Sequence, residues 1–394
     1  MSARRPLEGV TVLDLTRLLP GAYATLVLAD LGADVVKIED PRGGDPTRAF
    51  PPLAGGTSVY FHVLNRNKRS VTLDLRAPAA AGVLDALAGR ADLLVESFRP
   101  RTARRLGVDA ATVRARHPRL IHCSITGFGR QGPYAERPAH DLNYVALAGL
   151  FGVDRIDHEP PRVPRMLLGD IGAAMNAAAG MLAALFMRER TGEGSTVDVP
   201  IFEAALSWLT FPAADRLVAG VDRDRGELPI TGRGACYNIY RTADDQYVAL
   251  GALEPKFWKA FCDRIGRADL IPLQFAAGDA QARLLAEVTG IFGSRTRREW
   301  LERFADVDVC LTPVNSVDEA LADPHLAARG AVVERDGSRF IRTPILFAGP
   351  GDDLPASPVA VRPSPGLGVD TDSVLTAAGF DDAARRRLRA DGIV

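Results

Sequence analysis

The hydrophobic pattern of the first 130 residues alternates between short apolar runs and longer stretches with helical periodicity. Residues 9–16 and 34–39 have the β-branched, apolar character of strands, and residues 21–32 between them predict a helix. The alternation continues as strand 71–75, helix 78–89, strand 91–98, helices 101–106 and 110–116, and strand 120–126. Strands alternating with helices of this size predict a parallel sheet covered on both faces, and hence an α/β, Rossmann-like domain.

The pattern changes near residue 210. We place a linker at residues 211–225, ahead of two short strands, 237–240 and 246–251, that flank turn residues and predict an antiparallel pair. Helices predicted at 256–265, 281–292 and 297–305 complete a smaller α+β domain. The prediction is therefore a large domain of residues 1–210 with 326–394 and a small domain of residues 226–325.

Composition narrows the class of ligand. The chain has 394 residues, 47% of them hydrophobic, which is enough for about two domains with substantial cores. A formal net charge of −1 does not favour nucleic acid or an anionic membrane, so we expect a small-molecule ligand. The first residues lack the apolar core of a signal peptide, which predicts a cytoplasmic protein. The apolar run 171–187 is rich in Ala and Gly and predicts a buried helix and no membrane span.

The cysteines do not form a recognisable site. Cys123, Cys236, Cys262 and Cys310 are scattered, without a C-x-x-C pair and without a histidine at metal-ligand spacing. This distribution predicts reduced thiols, with neither a zinc site nor a disulfide framework.

One glycine motif matches the pattern of a dinucleotide-binding site, but its surroundings in the sequence favour a turn without that function. Residues 127–132 match the pattern G-x-G-x-x-G and follow a predicted strand. The dinucleotide fingerprint needs a helix directly after it, but Pro133 and Pro138 leave no room for one. We interpret the motif as a turn without that function.

Three segments contain candidate chemistry. His140 and Asp141 are adjacent, Asp170 opens an apolar run, and Glu254 precedes Pro255. An imidazole and two carboxylates suffice to move a proton without a metal. Each also has a simple structural explanation: a surface His–Asp pair, a helix N-cap and a loop acid.

Further blocks accompany these segments in a fixed order. They are Leu19-Pro20-Gly21 and residues 29–39, 68–75, 126–133, 311–314 and 366–368. In this order the chain resembles the CaiB/BaiF family, also called class III CoA-transferases, and within it the α-methylacyl-CoA racemase branch. The resemblance covers nearly the whole chain. It implies a Rossmann-like CoA-binding domain and an interlocked homodimer with the active site between the large domain of one subunit and the small domain of the other.

The resemblance implies a role for each of the three candidates. His140 and Asp170 would act as opposing acid–base groups on the α carbon of a 2-methylacyl-CoA, and Glu254 would orient and charge the imidazole. The reaction would be a 1,1-proton transfer through an enolate, with backbone N–H groups after Asp170 as oxyanion donors. Burial would raise the pKa of Asp170 and helix amides would lower it, and both outcomes stay open from sequence.

For coenzyme A, which enters as part of the substrate, the resemblance points to two groups of residues. The first is Arg99 with Leu73, Asp74, Leu75 and Arg76. The second, along the acyl end, is Ala139, Asp141, Asn143 and Tyr144. No tightly bound cofactor and no metal are expected.

The chain departs from the racemase pattern at three places. Ala139 stands where a glycine usually precedes the His-Asp pair, and residues 171–174 replace a glycine-rich turn, which leaves the size of the acyl group open. Asp40 stands where an arginine near CoA is common.

Two other functions remain in view. One is a CoA-transferase in which Asp170 attacks the thioester and carries CoA as an aspartyl thioester. The other is a CoA-ester binding protein without turnover. All three imply an acyl-CoA ligand, and none implies nucleic acid or a membrane.

Overall fold

The computed structural model describes residues 5–153, 160–220, 232, 234–335, 337–348 and 361–394. The chain forms two compact units, which we call the large unit (Met1–Pro212 with Ala327–Val394) and the small unit (Ala213–Leu326). Of the linker predicted at 211–225, residues 221–225 lie outside the described residues.

The strands of the described chain are β1 (Thr11–Asp14), β2 (Asp34–Glu39), β3 (Leu53–Ala54), β4 (Thr57–Ser58), β5 (Arg69–Thr72), β6 (Leu93–Glu96), β7 (Ile121–Thr126), β8 (Thr196–Pro200), β9 (Tyr237–Arg241), β10 (Tyr247–Gly251), β11 (Leu311–Pro313), β12 (Val332–Arg335) and β13 (Ser338–Ile341). The α-helices are α1 (Leu18–Asp30), α2 (Val59–Asn65), α3 (Ala80–Ala88), α4 (Pro100–Leu106), α5 (Ala110–Arg116), α6 (Asp141–Leu147), α7 (Leu150–Val153), α8 (Leu168–Thr191), α9 (Ile201–Ser207), α10 (Pro255–Ile265), α11 (Asp279–Phe292), α12 (Arg297–Phe304), α13 (Val317–Leu321), α14 (Pro324–Ala328), α15 (Thr371–Ala377) and α16 (Asp382–Ala390).

The large unit is built on a six-stranded parallel sheet with the order β5-β2-β1-β6-β7-β8. The chain moves from β1 through β2 to β5 on one side, and β6, β7 and β8 follow on the other side. The carboxyl ends of β1 and β6 therefore flank the point where the strand order reverses, which is where open α/β sheets bind ligands. β6 and β7 are buried at every position, as expected for strands covered on both faces. The sheet confirms the predicted α/β, Rossmann-like class.

Helix α8 is the core helix of the large unit. Its buried side is made mainly of small residues such as Ala173, Ala174 and Ala177, which share one core cluster with residues of α1 and the sheet. A Cβ atom at Gly180 would lie 2.7 Å from Val197 Cγ1, so glycine lets α8 lie close to β8. Within the described chain α8 is the one helix whose length and composition would allow it to cross a membrane. Its apolar window has a mean hydropathy of 1.4, and 44% of that window is buried inside the protein.

Four charged residues, Asp14, Lys37, Asp45 and Lys68, form what we call the buried charge cluster. Lys68 Nζ lies 3.1 Å from Asp14 Oδ2, and Lys37 Nζ lies 2.9 Å from Asp45 Oδ2. Burial acts to raise the pKa of Asp14, but the charges of Lys37 and Lys68 lower it to about 2. Lys68 Nζ also donates to the carbonyl of Ala22 at 2.9 Å, so the cluster fastens α1 to the sheet.

Side chains of the C-terminal segment cover the outer edge of β5. Asp370 Oδ2 accepts the N–H of Ser70 at 2.9 Å, and the N–H of Asp370 donates to the carbonyl of Ser70 at 3.0 Å. Thr371 Oγ1 accepts the N–H of Thr72 at 3.1 Å. The backbone groups on this edge are therefore hydrogen-bonded although no strand lies beside them.

The small unit contains a three-stranded antiparallel sheet with the order β11-β10-β9. Its core is aromatic: Tyr240 stacks on Phe292 with ring centroids 4.7 Å apart, and Phe261 stacks on Phe292 at 5.5 Å. The buried indole of Trp258 donates to the carbonyl of Leu270 at 3.1 Å. The antiparallel sheet with flanking helices confirms the predicted smaller α+β domain.

Candidate active site

Helix α6 begins directly after His140. The backbone of His140 is extended, and its N–H donates to Asn143 Oδ1 at 3.0 Å. This bond fixes the backbone of His140, while its side chain is exposed. Asn143, one of the residues predicted for the acyl end, therefore orders the first turn of α6.

The starts of α6 and α8 are joined by one hydrogen bond. Asp141 Oδ1 accepts the backbone N–H of Asp170, the third residue of α8, at 2.9 Å. Gly169 permits this close approach, because a Cβ atom there would lie 3.1 Å from the same Asp141 oxygen. The bond brings the residue that follows His140 against Asp170, across 29 residues of sequence.

The carboxyl group of Asp170 has an unusual environment. Burial, with the nearby charge of Asp141 as a second cause, raises the pKa of Asp170 to about 7. Among the described residues no cation pairs with this carboxyl. Of the two outcomes left open by the sequence, burial therefore outweighs the helix amides, and the group can exchange a proton near neutral pH.

The predicted oxyanion donors after Asp170 are already engaged, which corrects that expectation. The N–H of Asp170 donates to Asp141, and the N–H of Ile171 donates to the carbonyl of Leu167 at 3.0 Å. The first-turn N–H groups of α6, those of Asp141 and Leu142, instead lie ahead of the first helical hydrogen bond.

Tyr144 closes the inner side of the α6 start. Its hydroxyl donates to the carbonyl of Ala139 at 3.1 Å, and its ring meets the edge of Phe128 at 5.2 Å. Burial raises the pKa of Tyr144 to about 12, with the charge of Asp170 adding to the shift and that of Arg99 opposing it. The hydroxyl group of Tyr144 is therefore neutral near pH 7, and its pKa depends on the charges of both Asp170 and Arg99.

The glycine motif at 127–132 supports Tyr144. A Cβ atom at Gly127 would lie 2.2 Å from the tyrosine hydroxyl, so only glycine leaves room for the ring. Gly129 has φ +84° and donates its N–H to Thr126 Oγ1 at 3.0 Å. No helix follows before Asp141 in this fully described stretch, which agrees with the interpretation that the motif is no dinucleotide fingerprint.

Arg99 precedes α4 and is exposed. Its guanidinium donates to the carbonyl of Glu136 at 3.3 Å, and the N–H of Arg101 donates to the Glu136 carboxylate at 2.8 Å. These bonds hold Arg99 toward the segment that leads to His140. Arg99 thus lies beside the segment that leads to His140, whereas Leu73–Arg76, with which it was predicted, line a cleft whose lining does not include Arg99.

A cleft of about 190 Å³ opens at the carboxyl ends of β1, β2, β5 and β6. All of the predicted residues Leu73, Asp74, Leu75 and Arg76 line it. The residues Ala139, Asp141, Asn143 and Tyr144 do not line it, because they belong to the start of α6.

The residues of this cleft that the sequence did not point to include Arg17, Phe98, Thr102 and Arg105. The N–H of Arg17 donates to Ser97 Oγ at 3.1 Å, and its guanidinium lies over the ring of Phe98 at 5.7 Å. Arg17 follows β1 and Phe98 follows β6, and these are the two strands between which the strand order reverses. The switch-point rule, applied to β1 and β6, could have identified them.

Glu254 lies in the small unit. It is the exposed residue before α10, and its carbonyl accepts the N–H of Phe257 at 3.0 Å. Gln274 Nε2 holds the preceding segment by donating to the carbonyls of Ala252 and Leu253 at 3.1 and 2.8 Å. The backbone at Glu254 is therefore well defined, and its carboxylate faces solvent within this unit.

The described residues contain no group of three or more His, Cys, Asp or Glu side chains that could hold a metal ion. Cys123, Cys236, Cys262 and Cys310 are all free thiols, and of these Cys310 is exposed.

Comparisons with known proteins agree on one family. The family model for CoA-transferase family III matches residues 7–371. Human alpha-methylacyl-CoA racemase is 32% identical over 393 residues, covering 98% of this chain and 97% of the relative. Human succinyl-CoA:glutarate CoA-transferase is 29% identical over 406 residues, covering 100% of this chain and 91% of the relative. The crystal structure of a CaiB/BaiF family protein from Brucella suis has a TM-score of 0.81 at 30% identity, covering 95% of this chain and 99% of that chain.

These matches define the class of protein as an α/β enzyme of the CaiB/BaiF type. The chain belongs to CoA-transferase family III. The resemblance found in the sequence is thereby confirmed. Because racemases and CoA-transferases match at nearly the same identity, the family includes both reactions and the residues of the site must distinguish them.

Proposed function

We propose that the protein racemises the α carbon of a 2-methylacyl-CoA. The observation that carries this proposal is the hydrogen bond from the N–H of Asp170 to Asp141. It holds the start of α6, with the imidazole of His140, against the start of α8, with the carboxyl group of Asp170. A 1,1-proton transfer needs two acid–base groups on opposite faces of one carbon, and these two side chains can supply them.

The proposed steps balance without a further reactant. One group removes the α proton, and the electron pair of the C–H bond moves to the thioester oxygen to give an enolate. The other group then donates its proton to the opposite face, and the carbonyl is restored. After each turnover His140 and Asp170 have exchanged protonation states, so the reverse reaction uses the same groups.

The pKa of Asp170, raised to about 7 by burial and by Asp141, supports this role. A general acid–base group works best when its pKa is close to the working pH, because both of its forms are then populated. We assign stabilisation of the enolate oxygen to the first-turn N–H groups of Asp141 and Leu142, since those after Asp170 are engaged.

We propose that the CoA part of the substrate binds in the cleft at the switch point. Arg17, Arg76 and Arg105 supply positive charge for its phosphates, and the ring of Phe98 offers a surface for its adenine. Arg99, Ala139 and Tyr144 lie toward the acyl end in this proposal.

Glu254 is the third group of the proposal, with the role of stabilising the imidazolium form of the histidine. We test it by Glu254→Gln, which keeps the size of the side chain and removes its charge. The expected result is a fall in kcat of about 10²-fold with little change in KM.

We further propose that the protein is a homodimer. The large unit exposes large apolar side chains on α6, α8 and α9 and just beyond α9, among them Leu147, Met175, Phe186, Met187, Trp208 and Phe211. A soluble monomer rarely exposes so many in neighbouring elements, and a second copy of the chain would cover them.

The second candidate function is CoA transfer, which the transferases among the relatives support. In that reaction the Asp170 carboxylate attacks the thioester carbonyl and expels CoA thiolate, giving a mixed anhydride. The thiolate then attacks the Asp170 carbonyl, releases the first acid and leaves an aspartyl thioester. An acceptor carboxylate repeats both steps in reverse order.

One experiment separates these functions. The protein is incubated with a 2-methylacyl-CoA in D2O, and separately with an acyl-CoA, a free acid and hydroxylamine. Deuterium at the α carbon without movement of CoA supports the racemase. Movement of CoA with a hydroxylamine-trapped adduct on Asp170 supports the transferase, and binding of the ester without either reaction supports the binding protein.

A matched histidine control strengthens the first arm. His140→Ala should abolish deuterium incorporation, whereas His325→Ala, which changes an exposed histidine of the small unit, should leave it unchanged. Incorporation that survives His140→Ala at the wild-type rate would overturn the racemase proposal.

A further inference from the structure

The start of α4 forms one wall of the cleft that the proposed function assigns to coenzyme A. Phe98, two residues before the helix, lines that cleft together with Thr102 and Arg105 of the helix itself. The turn before the helix is held by the buried Glu96 at the end of β6, whose Oε2 accepts the N–H of Phe98 at 2.7 Å. The backbone that enters α4 is therefore fixed to the sheet.

The same helix start is bonded to a segment far along the chain. Glu136 Oε1 accepts the N–H of Arg101, the second residue of α4, at 2.8 Å, and the carbonyl of Glu136 accepts from the guanidinium of Arg99 at 3.3 Å. The first N–H groups of a helix lack partners within the helix, and the N-cap residue Arg99 makes no side-chain cap. Glu136 supplies that cap from 35 residues away.

Glu136 belongs to a segment with little freedom that ends at His140. The N–H of Arg137 donates to the carbonyl of Tyr134 at 2.8 Å, which closes a turn around Glu136, and the Arg137 guanidinium lies over the Tyr134 ring at 3.9 Å. Pro138 follows with a restricted φ. The hydrogen bonds described above fix the end of the segment to the start of α6. A shift of the α4 start should therefore move the backbone of His140.

We propose that Glu136 is a positioning residue that couples binding of the nucleotide part of coenzyme A to the placement of the His140 imidazole. This proposal rests on the proposed function, because it takes coenzyme A as the ligand of the cleft and His140 as an acid–base group. Binding energy from a part of the substrate that does not react can orient the groups that do react, and it then raises kcat as well as affinity. Here the nucleotide contacts the start of α4, and Glu136 joins that start to the segment of His140.

The test compares two thioesters with the same acyl group: a 2-methylacyl-CoA and the corresponding 2-methylacyl-pantetheine, which lacks the nucleotide. The rate of α-proton exchange in D2O gives kcat and KM for each. In the wild-type protein the truncated thioester should have a kcat at least about tenfold lower. Glu136→Ala removes the acceptor for the N–H of Arg101. It should lower kcat about tenfold for the CoA thioester, with KM changed less than about threefold, and lower kcat less than about twofold for the pantetheine thioester.

Two further variants separate this role from a general loss of structure. Glu136→Gln keeps a side-chain oxygen that can accept the N–H of Arg101, so it should restore kcat for the CoA thioester to within about threefold of wild type. Glu8→Gln changes an exposed glutamate ahead of β1, at the end of the parallel sheet opposite the cleft. It should change the kinetics of neither thioester.

The opposite outcomes are distinct. If Glu136→Ala lowers kcat equally for both thioesters, or for neither, Glu136 does not couple the nucleotide to His140, and the proposed function stands. Equal kcat values for the two thioesters in the wild-type protein would also overturn the coupling, because the nucleotide would then contribute nothing to the reaction step. If the wild-type protein exchanges the α proton of neither thioester, the proposed function fails as well.

Discussion

The large unit contains two groups of buried or half-buried carboxylates that differ in the charge of their neighbours. In the buried charge cluster Asp14 lies against Lys68, and Lys37 lies against Asp45. At the junction of α6 and α8 the carboxyl group of Asp170 has another carboxylate, Asp141, as its charged neighbour. Burial acts to raise the pKa at both sites, yet the pKa of Asp14 is lowered to about 2 and that of Asp170 is raised to about 7.

The difference shows how burial leads to opposite roles. Where an opposite charge compensates for lost solvation, the carboxylate stays ionised and stabilises the fold. Where the neighbour has the same charge, the carboxyl group gives up its proton only near neutral pH. That property costs stability and suits proton transfer.

The largest expected effect is on the rate of α-proton exchange, and it comes from removing the carboxyl group of Asp170, which has no cation beside it in the described part of the chain. Asp170→Asn should lower the rate of α-proton exchange about 10³-fold or more, because the amide cannot act as acid or base. The exchange rate in D2O measures this, with circular dichroism to establish that the variant is folded. Activity within tenfold of wild type would remove Asp170 from the mechanism.

Breaking the compensated cluster should act on stability. Lys68→Met leaves Asp14 buried without its nearest cation, and we expect a loss of about 3 kcal/mol in the free energy of unfolding. Urea denaturation measures it. The double variant Asp14→Asn with Lys68→Met should recover part of that loss; a loss below about 1 kcal/mol in the single variant would show that the pair is not coupled.

The pH dependence of stability should have opposite signs at the two sites. The folded pKa of Asp170 is raised from 3.8 to about 7, so the carboxyl group costs stability as pH rises through that window. Asp170→Asn should therefore stabilise the protein at pH 8, by about 1–2 kcal/mol after allowance for partial exposure, and have no such effect below about pH 4.

Asp14→Asn is the matched counterpart. The folded pKa of Asp14 is lowered from 3.8 to about 2, so its charge contributes stability above pH 3.8 that is lost as pH falls through 2. This variant should be destabilised at pH 8. Unfolding curves of both variants from pH 3 to 8 test the pair, and a shift in the same direction at both sites would contradict the comparison.

The smallest effect concerns the contact that joins the two helix starts. Gly169→Ala places a Cβ atom 3.1 Å from Asp141 Oδ1, which should cost about 1 kcal/mol and reduce proton exchange about tenfold by displacing the bond to Asp170. Gly82→Ala is the control: its Cβ atom on α3 meets nothing within 4 Å, and it should be neutral or slightly stabilising. Equal rates of proton exchange in the two variants would show that the hydrogen bond between Asp141 and Asp170 does not contribute to the reaction.

Sequence periodicity predicted the regular elements well and their junctions less well. The helices 256–265, 281–292 and 297–305 agree with α10, α11 and α12 to within two residues. Helix α1, by contrast, begins at Leu18 and not at residue 21, because Pro20 lies in the first turn, where a helix tolerates proline. Gly21 has a packing reason, since a Cβ atom there would lie 2.2 Å from the side chain of Thr16.

The site was predictable only in part. The sequence and its resemblance point to His140 and Asp170 as candidates. The hydrogen bond through Asp141 depends on how two helices meet, which a local pattern does not encode. Arg17 and Phe98 were missed for a similar reason. They follow different strands, and the order of the strands brings them together.

The covered edge of β5 has a consequence for the protein at high concentration. A parallel sheet that ends in an open row of N–H and C=O groups offers a template on which the same strand of another molecule can add. Here Asp370 and Thr371 saturate that row with side-chain and loop contacts that no incoming strand can extend. The segment at the start of α15 thus blocks the addition of a strand at this edge, and a form cleaved ahead of residue 361 would lose that protection.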